Sequence, residues 1–210
     1  MTTTSSAEIW VRSALVQVRA DPTTIRRWFP MAARKVGADH ESVRIRLLRA
    51  LPDRSEIPAL YRYGDVHERC AIILSAAQLG VDDVLLELAR DAFRSNDPRL
   101  VTASASPAVV ERLSDEEADQ VLMKCVFMEI PLDRVPALTR RATARTSQML
   151  AAFVLERVCA GRSVTPQLWP LIDRFPPSDE LARIEQQLTA DDPERRRAAS
   201  AALDRRGTPL

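Results

Sequence analysis

The stretch Ser114-Asp-Glu-Glu-Ala-Asp-Gln-Val-Leu-Met-Lys-Cys-Val-Phe127 has the pattern of an amphipathic helix together with its start signal. Ser114 and Glu117 form a capping box, in which a hydroxyl and a carboxylate each accept a hydrogen bond from a free amide at the helix start. The apolar residues that follow recur at helical spacing and predict one buried face: Ala118, Val121, Leu122 and Cys125.

Composition extends this prediction to the whole chain. Only 5 of the 210 residues are glycine, whereas a β-sandwich or a nucleotide-binding α/β fold needs many tight turns and glycine loops. Residues that favour helices, such as alanine, leucine, arginine and glutamate, are abundant. We therefore predict an all-α fold of stacked antiparallel helical hairpins. The segments 96–101 and 191–199 resemble helix starts of HEAT-type repeats, so an irregular HEAT-like solenoid is one arrangement the pattern allows.

Three further structural expectations come from breakers along the chain. Pro30 lies inside a helical pattern and predicts a kink or two short helices. Residues 65–79 predict one helix that ends at Gly80, and Gly161 is a second expected stop. The step Phe175-Pro-Pro177 predicts a boundary between a helical domain, residues 1–175, and a C-terminal hairpin packed on it, residues 176–210.

Charge and cysteine content limit the protein class. The chain has 30 basic and 29 acidic residues, but the net charge is +5 through Tyr63, −7 from Gly64 to Ile130 and +3 beyond. We expect the basic and acidic segments to pair with each other inside the protein. A surface with separate positive and negative regions is the alternative. The near-neutral total argues against a nucleic-acid partner, and the lack of an 18-residue apolar run argues against an integral membrane protein. Three scattered cysteines suit a reducing cytoplasm.

The sequence contains none of the motifs that identify common catalytic or cofactor sites. Phosphate-binding glycine loops and the nucleophile elbow are absent. The pairs Asp82-Asp83 and Asp191-Asp192 lack the third aspartate of a magnesium site, and His40 and His67 have no ligand spacing with the cysteines. We therefore predict no catalytic residue, no metal and no cofactor.

Several stretches resemble the EboA family: Arg94–Asn96, Gln120–Leu132, Leu138–Ala142, Met149–Arg162 and Leu168-Trp169. Family members carry similar stretches, such as M-V-L-K-A-L-F-V-G-S-P-L and M-L-x-D-Y-A-H-E-R-W-A-A-G-R. The resemblance spans residues 66–169. It implies a small bacterial helical protein, encoded with a UbiA-like membrane prenyltransferase and other enzymes that make or move a secondary metabolite. This chain has Ala152-Phe-Val-Leu155 where relatives have Asp-Tyr-Ala-His, so a role for that histidine does not transfer.

Nine polar residues are candidate ligand contacts: Asp65, His67, Asn96, Lys124, Arg140, Arg141, Glu156, Arg157 and Arg162. His67 and Cys70 stand at i, i+3, which suits either a thiolate–imidazole pair or a histidine beside a buried, inert thiol. Lys124 either binds an anion from a desolvated position or extends along apolar surface to solvent. The arginines predict a cationic groove, unless Glu156 neutralises Arg157.

Three functional hypotheses follow. The favoured one is a non-catalytic accessory or scaffold protein that holds partner proteins of its cluster, such as the membrane prenyltransferase, or a small hydrophobic or anionic intermediate. The second is an enzyme for a small prenylated or anionic substrate, with His67, Lys124, Arg140 and Arg157 in one pocket. The third is a HEAT-like nucleic-acid reader. The terminal arginines, residues 195–197 and 205–206, lack the aromatic residues that such readers interleave, so a solvated helix face or a membrane-surface patch suits them better.

Overall fold

The computed structural model describes residues 5–206, and this part of the chain contains helices and no β-strand. The predicted all-α class is therefore confirmed. The chain divides into two compact units, and the division follows Leu113.

The first unit is built from nine α-helices in its described part. Their bounds are α1 Ser6–Ala20, α2 Ile25–Val36, α3 His40–Ala50, α4 Ile57–Tyr63, α5 Val66–Leu74, α6 Ala76–Leu79, α7 Asp83–Arg94, α8 Pro98–Ser104 and α9 Pro107–Val110. Helix α3 packs on α1, α2 and α5, and α5 packs in turn on α8. The largest apolar side chains buried between these helices are Ile25, Phe29, Leu47, Leu48, Ile57, Ile72, Ile73 and Leu85.

The second unit is organised around one long helix. Its described α-helices are α10 Asp115–Phe127, α11 Pro136–Arg140, α12 Ala144–Cys159, α13 Trp169–Ile172, α14 Ser178–Gln186 and α15 Pro193–Arg206. Helix α12 contacts α10, α13, α14 and α15. Helices α14 and α15 follow residue 176, and both pack on α12. The division into a domain of residues 1–175 and a C-terminal hairpin stays a prediction.

The capping box predicted at Ser114 is formed. The amide of Glu117 donates to Oγ of Ser114 at 3.1 Å, and the amide of Ser114 donates to Oε2 of Glu117 at 2.8 Å. The predicted inner face of α10 is buried. The sequence therefore determines both the start and the orientation of this helix.

One sequence prediction about helix continuity was wrong. The helix expected over residues 65–79 breaks at Ser75, which separates α5 from α6. Ser75 is fully buried, and its hydroxyl donates to the Ile72 carbonyl at 2.6 Å, where a side chain competes with the helix for a backbone acceptor. At Pro30, where a kink or two short helices was expected, α2 runs through as one helix, so the alternative of two short helices is excluded. Pro30 is exposed, so water can reach the carbonyl that loses its helical partner.

A buried ion pair joins three helices of the first unit. Arg44 on α3 is 1% exposed, and its Nη2 donates to Oε1 of Glu68 on α5 at 3.1 Å. Its Nε donates to the Phe29 carbonyl on α2 at 3.2 Å, and its guanidinium lies 5.5 Å from the centre of the Phe29 ring. Burial, with the nearby Asp65 charge, raises the pKa of the Glu68 carboxyl, and Arg44 opposes that rise. Arg44 thus compensates a carboxylate that the fold has desolvated.

We predict that Arg44→Met destabilises the protein by about 3–5 kcal/mol, because it leaves a buried carboxylate without its cation. A folded-state pKa above the unfolded value means that stability falls as pH rises through the folded pKa. The loss of unfolding free energy is therefore expected to be larger at about pH 8 than at about pH 5. Urea unfolding at both pH values measures it.

The double variant Arg44→Met/Glu68→Gln is the matched control, because it lacks the same cation and differs from the single variant only at Glu68. Removing the ionisable carboxyl should abolish most of the extra loss between the two pH values. Equal pH dependence in the single and double variants would contradict the role assigned to Glu68.

Candidate functional site

The second unit contains a cavity of about 430 Å³. It lies where the end of α10, the second half of α12 and the segment before α13 come together, and α15 closes one side. Its main apolar lining residues are Phe127, Ile130, Leu132, Phe153, Val164 and Leu168. Its polar lining residues are Glu129, Arg157, Ser163, Thr165, Gln167 and Arg205. A lining that combines apolar side chains with convergent polar groups is typical of small-molecule sites.

The cavity exists because α10 ends in a tight turn. The amide of Ile130 donates to the Cys125 carbonyl at 2.9 Å, and the amide of Glu129 donates to the Val126 carbonyl at 3.1 Å. This is the Schellman pattern, in which the residue after the helix adopts a left-handed conformation. Glu129 has φ +55° and is the one non-glycine residue with positive φ in the described chain. The turn directs the chain from α10 towards Leu132 and forms one wall of the cavity.

Helix α12 ends in the same way on the opposite wall. Gly161 has φ +67°, the amide of Arg162 donates to the Arg157 carbonyl at 2.8 Å, and the amide of Gly161 donates to the Val158 carbonyl at 2.9 Å. The predicted stop at Gly161 is confirmed. The chain reverses there, so that Ser163 and Val164 return beside α12 and line the cavity.

Two arginines are held at the cavity by backbone carbonyls. Nε of Arg157 donates to the Ser163 carbonyl at 3.0 Å, and Nη1 of Arg205 donates to the Val164 carbonyl at 2.8 Å. Within residues 5–206 neither forms an ion pair with an aspartate or glutamate. A guanidinium has five N–H donors, so each arginine keeps donors for an anion after the backbone bond is made.

An aromatic pair borders the cavity. Phe127 is 62% exposed, and its ring meets that of Phe153 edge to face at 5.1 Å. The Arg157 guanidinium lies 6.0 Å from the centre of the Phe153 ring. The pair therefore offers an exposed apolar surface directly beside a fixed cation, which suits a ligand with an apolar body and an anionic end.

Arg157 is the candidate residue that the structure places in this cavity lining. The other candidates of the second unit lie outside it: Lys124, Arg140, Arg141, Glu156 and Arg162. Arg141 pairs with Asp115 at 2.5 Å. In the described chain Glu156 forms no ion pair with Arg157, so the neutralisation considered for that arginine is not observed.

The candidates of the first unit lie at the start of α5 and before α8. Asp65 caps α5, since the amide of Glu68 donates to its Oδ1 at 2.8 Å. Nε2 of His67 lies 3.3 Å from Nη1 of Arg99, and its ring meets that of His40 edge to face at 5.8 Å. Asn96 is exposed in the turn before α8. The contacts of Asp65 and His67 are those of a capping residue and of a histidine against an arginine.

The thiol beside this group is not activated. Burial, with smaller effects from charges such as Asp97, raises the pKa of Cys70 to about 11, and burial raises that of Cys125 to about 11 as well. Both are therefore protonated at neutral pH, which favours the buried, inert reading of Cys70. Over residues 5–206, no three histidine, cysteine, aspartate or glutamate side chains converge as metal ligands would.

Sequence reasoning missed most of the cavity. Phe127, Glu129, Gln167 and Arg205 were not among the candidates, although each lines it. Gln167 holds the turn after α10, because its Oε1 accepts from the Leu132 amide at 2.9 Å. One local signal was present in the sequence. No glycine follows the end of α10, so a left-handed position there has to be occupied by another residue.

We predict that thiol reagents modify Cys159 first in the native protein. Cys70 and Cys125 are buried, whereas Cys159 is partly exposed. With a pKa of about 11, only about one in a thousand of the Cys70 and Cys125 thiols is ionised at pH 8. Iodoacetamide labelling followed by peptide mass spectrometry should show Cys159 labelled at least about tenfold faster. Cys159→Ser should remove the fast phase, and all three should react in urea; fast labelling of native Cys70 would contradict the assignment.

Comparison with known proteins identifies the family. The family model for EboA, described as a metabolite traffic protein, matches residues 14–173, which is most of the chain and includes every cavity-lining residue except Arg205. Among curated proteins and among solved structures, no significant match is found. Over residues 5–206, no helix is both long enough and apolar enough to cross a lipid bilayer. The chain belongs to the EboA family of metabolite traffic proteins.

Proposed function

We propose that this protein is a non-catalytic accessory protein that binds a small metabolite in the cavity of its second unit and passes it to partner enzymes. The pathway is a bacterial secondary-metabolite biosynthesis or export pathway, the site of action is the cytoplasm, and a membrane prenyltransferase is one candidate partner. The observation that carries the proposal is the pair Arg157 and Arg205. Both guanidiniums are fixed at a cavity whose lining is partly apolar and partly polar, and they form no ion pair with a carboxylate of the described chain.

The shape of the cavity supports a defined class of ligand. Its volume of about 430 Å³ falls in the range of small-molecule sites. Phe127 and Phe153 provide a surface for an apolar body, and the two arginines provide donors for a phosphate, diphosphate or carboxylate. A short prenyl chain with an anionic end has both properties.

The lining favours binding over catalysis. A guanidinium is a poor general acid or base but a good hydrogen-bond donor to anions, so Arg157 and Arg205 suit recognition. Glu129 is the one carboxylate among the described lining residues. An enzyme acting on a prenylated or anionic substrate is the alternative, and it would need Glu129 as its acid or base. Turnover that disappears in Glu129→Gln, with ligand binding retained, would favour the enzyme.

We predict that geranyl diphosphate binds with at least about tenfold higher affinity than geraniol or inorganic diphosphate, because only the first probe uses both the apolar wall and the arginines. Isothermal titration calorimetry measures the three affinities. Arg157→Gln/Arg205→Gln should lower the affinity for geranyl diphosphate by about tenfold or more.

The control is Arg134→Gln/Arg183→Gln, which removes two exposed arginines outside the cavity lining. It should bind as the unmodified protein does. Equal binding of geranyl diphosphate and inorganic diphosphate, or equal losses in both double variants, would refute the cavity as the site.

A second prediction concerns Glu129. Glu129→Gly should raise the unfolding free energy by about 0.5–1 kcal/mol, because relief of the left-handed conformation outweighs the greater flexibility of glycine in the unfolded chain. It should also raise the affinity for geranyl diphosphate, since it removes a carboxylate beside two arginines.

Glu129→Ala is the matched control, because it removes the charge but keeps a Cβ at φ +55°. It should gain affinity without gaining stability. If Glu129→Ala and Glu129→Gly are equally stable in urea unfolding, the backbone conformation is not the source of the effect.

A further inference from the structure

The outward face of α1 combines aliphatic and cationic side chains. Ile9, Arg12, Val16 and Arg19 follow one another at i, i+3, i+7 and i+10, which places them on one stripe of the helix. Ile9 and Val16 are each 56% exposed, and both arginines are exposed. Single exposed aliphatic residues are ordinary on protein surfaces. Two on one stripe with arginines beside them form an amphipathic face that no element within residues 5–113 covers.

Helix α3 adds two more cations beside this stripe. Arg46 and Arg49 border a shallow depression of about 260 Å³, together with Arg19 of α1. Leu15 and Ala50 complete its lining. Three guanidiniums around this depression form a place where an anionic group can bind without burying a carboxylate.

These arginines have no acidic partner to neutralise them. Within residues 5–206, none of the four (Arg12, Arg19, Arg46 and Arg49) forms an ion pair with an aspartate or glutamate. Arg49 donates to the neutral Oε1 of Gln78 at 3.2 Å.

A groove beside this stripe is lined by residues of α1 and α3, and two acidic side chains lie along it. Asp39 is exposed there, and Glu8 accepts the Ser5 amide at 2.8 Å in the cap of α1. The helix dipole accounts for arginines in the last turns of α1 and α3, but it does not account for Arg12 or Arg46. The surface therefore keeps a positive charge that the rest of the described unit does not compensate.

We propose that this face of the first unit docks on the surface of an anionic phospholipid bilayer. The arginines would contact lipid phosphates, and Ile9 and Val16 would lie between the headgroups, as in interfacial amphipathic helices. A nucleic acid shares the phosphate chemistry but gives aliphatic side chains no apolar environment, and readers of single strands interleave aromatic residues instead. The aliphatic stripe therefore favours the membrane. This surface lies in the first unit and the proposed ligand cavity in the second, so each proposal stands or fails separately.

Vesicle flotation with the full chain tests the proposal. The protein should float with vesicles of phosphatidylcholine containing about 30% phosphatidylglycerol and stay unbound with pure phosphatidylcholine. Binding should fall when salt is raised to about 0.5 M, because exposed charges are screened. Arg12→Gln/Arg19→Gln should weaken binding by roughly 20-fold, while Arg134→Gln/Arg183→Gln leaves it unchanged.

A second pair of variants separates insertion from attraction by charge alone. Ile9→Ser/Val16→Ser keeps every arginine and should still weaken binding to the anionic vesicles severalfold. Val84→Ser/Leu188→Ser removes two aliphatic residues of 40% and 42% exposure elsewhere and should have no effect. Circular dichroism of each variant confirms that the helices are retained.

Three results would overturn the proposal. One is equal flotation with neutral and anionic vesicles. Another is equal loss of binding in the target and control pairs. The third is tight, salt-dependent binding to single-stranded or double-stranded DNA without vesicle binding, which would assign the arginines to a nucleic acid.

The cavity provides a control for the arginine variant. Unchanged geranyl diphosphate binding in Arg12→Gln/Arg19→Gln would show that its weaker vesicle binding does not come from damage to the cavity.

Discussion

Each helix leaves four amides at its start and four carbonyls at its end without partners inside the helix. This constraint weighs heavily here, because the described chain is divided into many short helices, the longest of which is the 16-residue α12. Side chains satisfy the starts through capping boxes at Ser5, Asp65, Ser114 and Thr143. Residues with positive φ follow four of the helix ends in the described chain: Gly37, Gly80, Glu129 and Gly161. The two such ends in the second unit, at Glu129 and Gly161, are also the two turns that form the walls of the cavity.

The parts of the fold that depend on neighbouring residues could be predicted from the sequence. The capping box at Ser114 and the stop at Gly161 each need only a few adjacent residues, and both are observed. The break at Ser75 depends on a hydroxyl that bonds within a buried turn, and an isolated serine in a helical pattern does not indicate that. Glu129 replaces the glycine of the family stretch at a left-handed position. This replacement is visible in the sequence, but its structural consequence is clear only once the turn after α10 is known.

The cavity could not be assembled from sequence for a different reason. Arg205 reaches it from α15 and is anchored to the Val164 carbonyl, a contact between residues 41 positions apart. A cationic groove near Lys124 was predicted from Arg140, Arg141, Arg157 and Arg162, but of these only Arg157 lines the cavity. Spacing along a helix identifies residues on one face, whereas a cavity between helices takes its lining from several faces. The charge pattern was more informative about pairing: Arg44–Glu68 and Arg54–Asp82 join the basic first segment to the acidic middle one.

The arginines left out of that pairing have a property in common that bears on traffic of a metabolite. Arg157 and Arg205 are positioned by carbonyls, which fix the guanidinium without cancelling its charge. A carboxylate paired with these arginines would have to be displaced by every incoming anion. The free energy needed to displace it would weaken the binding of that anion. For the proposed binding of an anion, this arrangement leaves both guanidiniums available without an acidic group that must first be displaced.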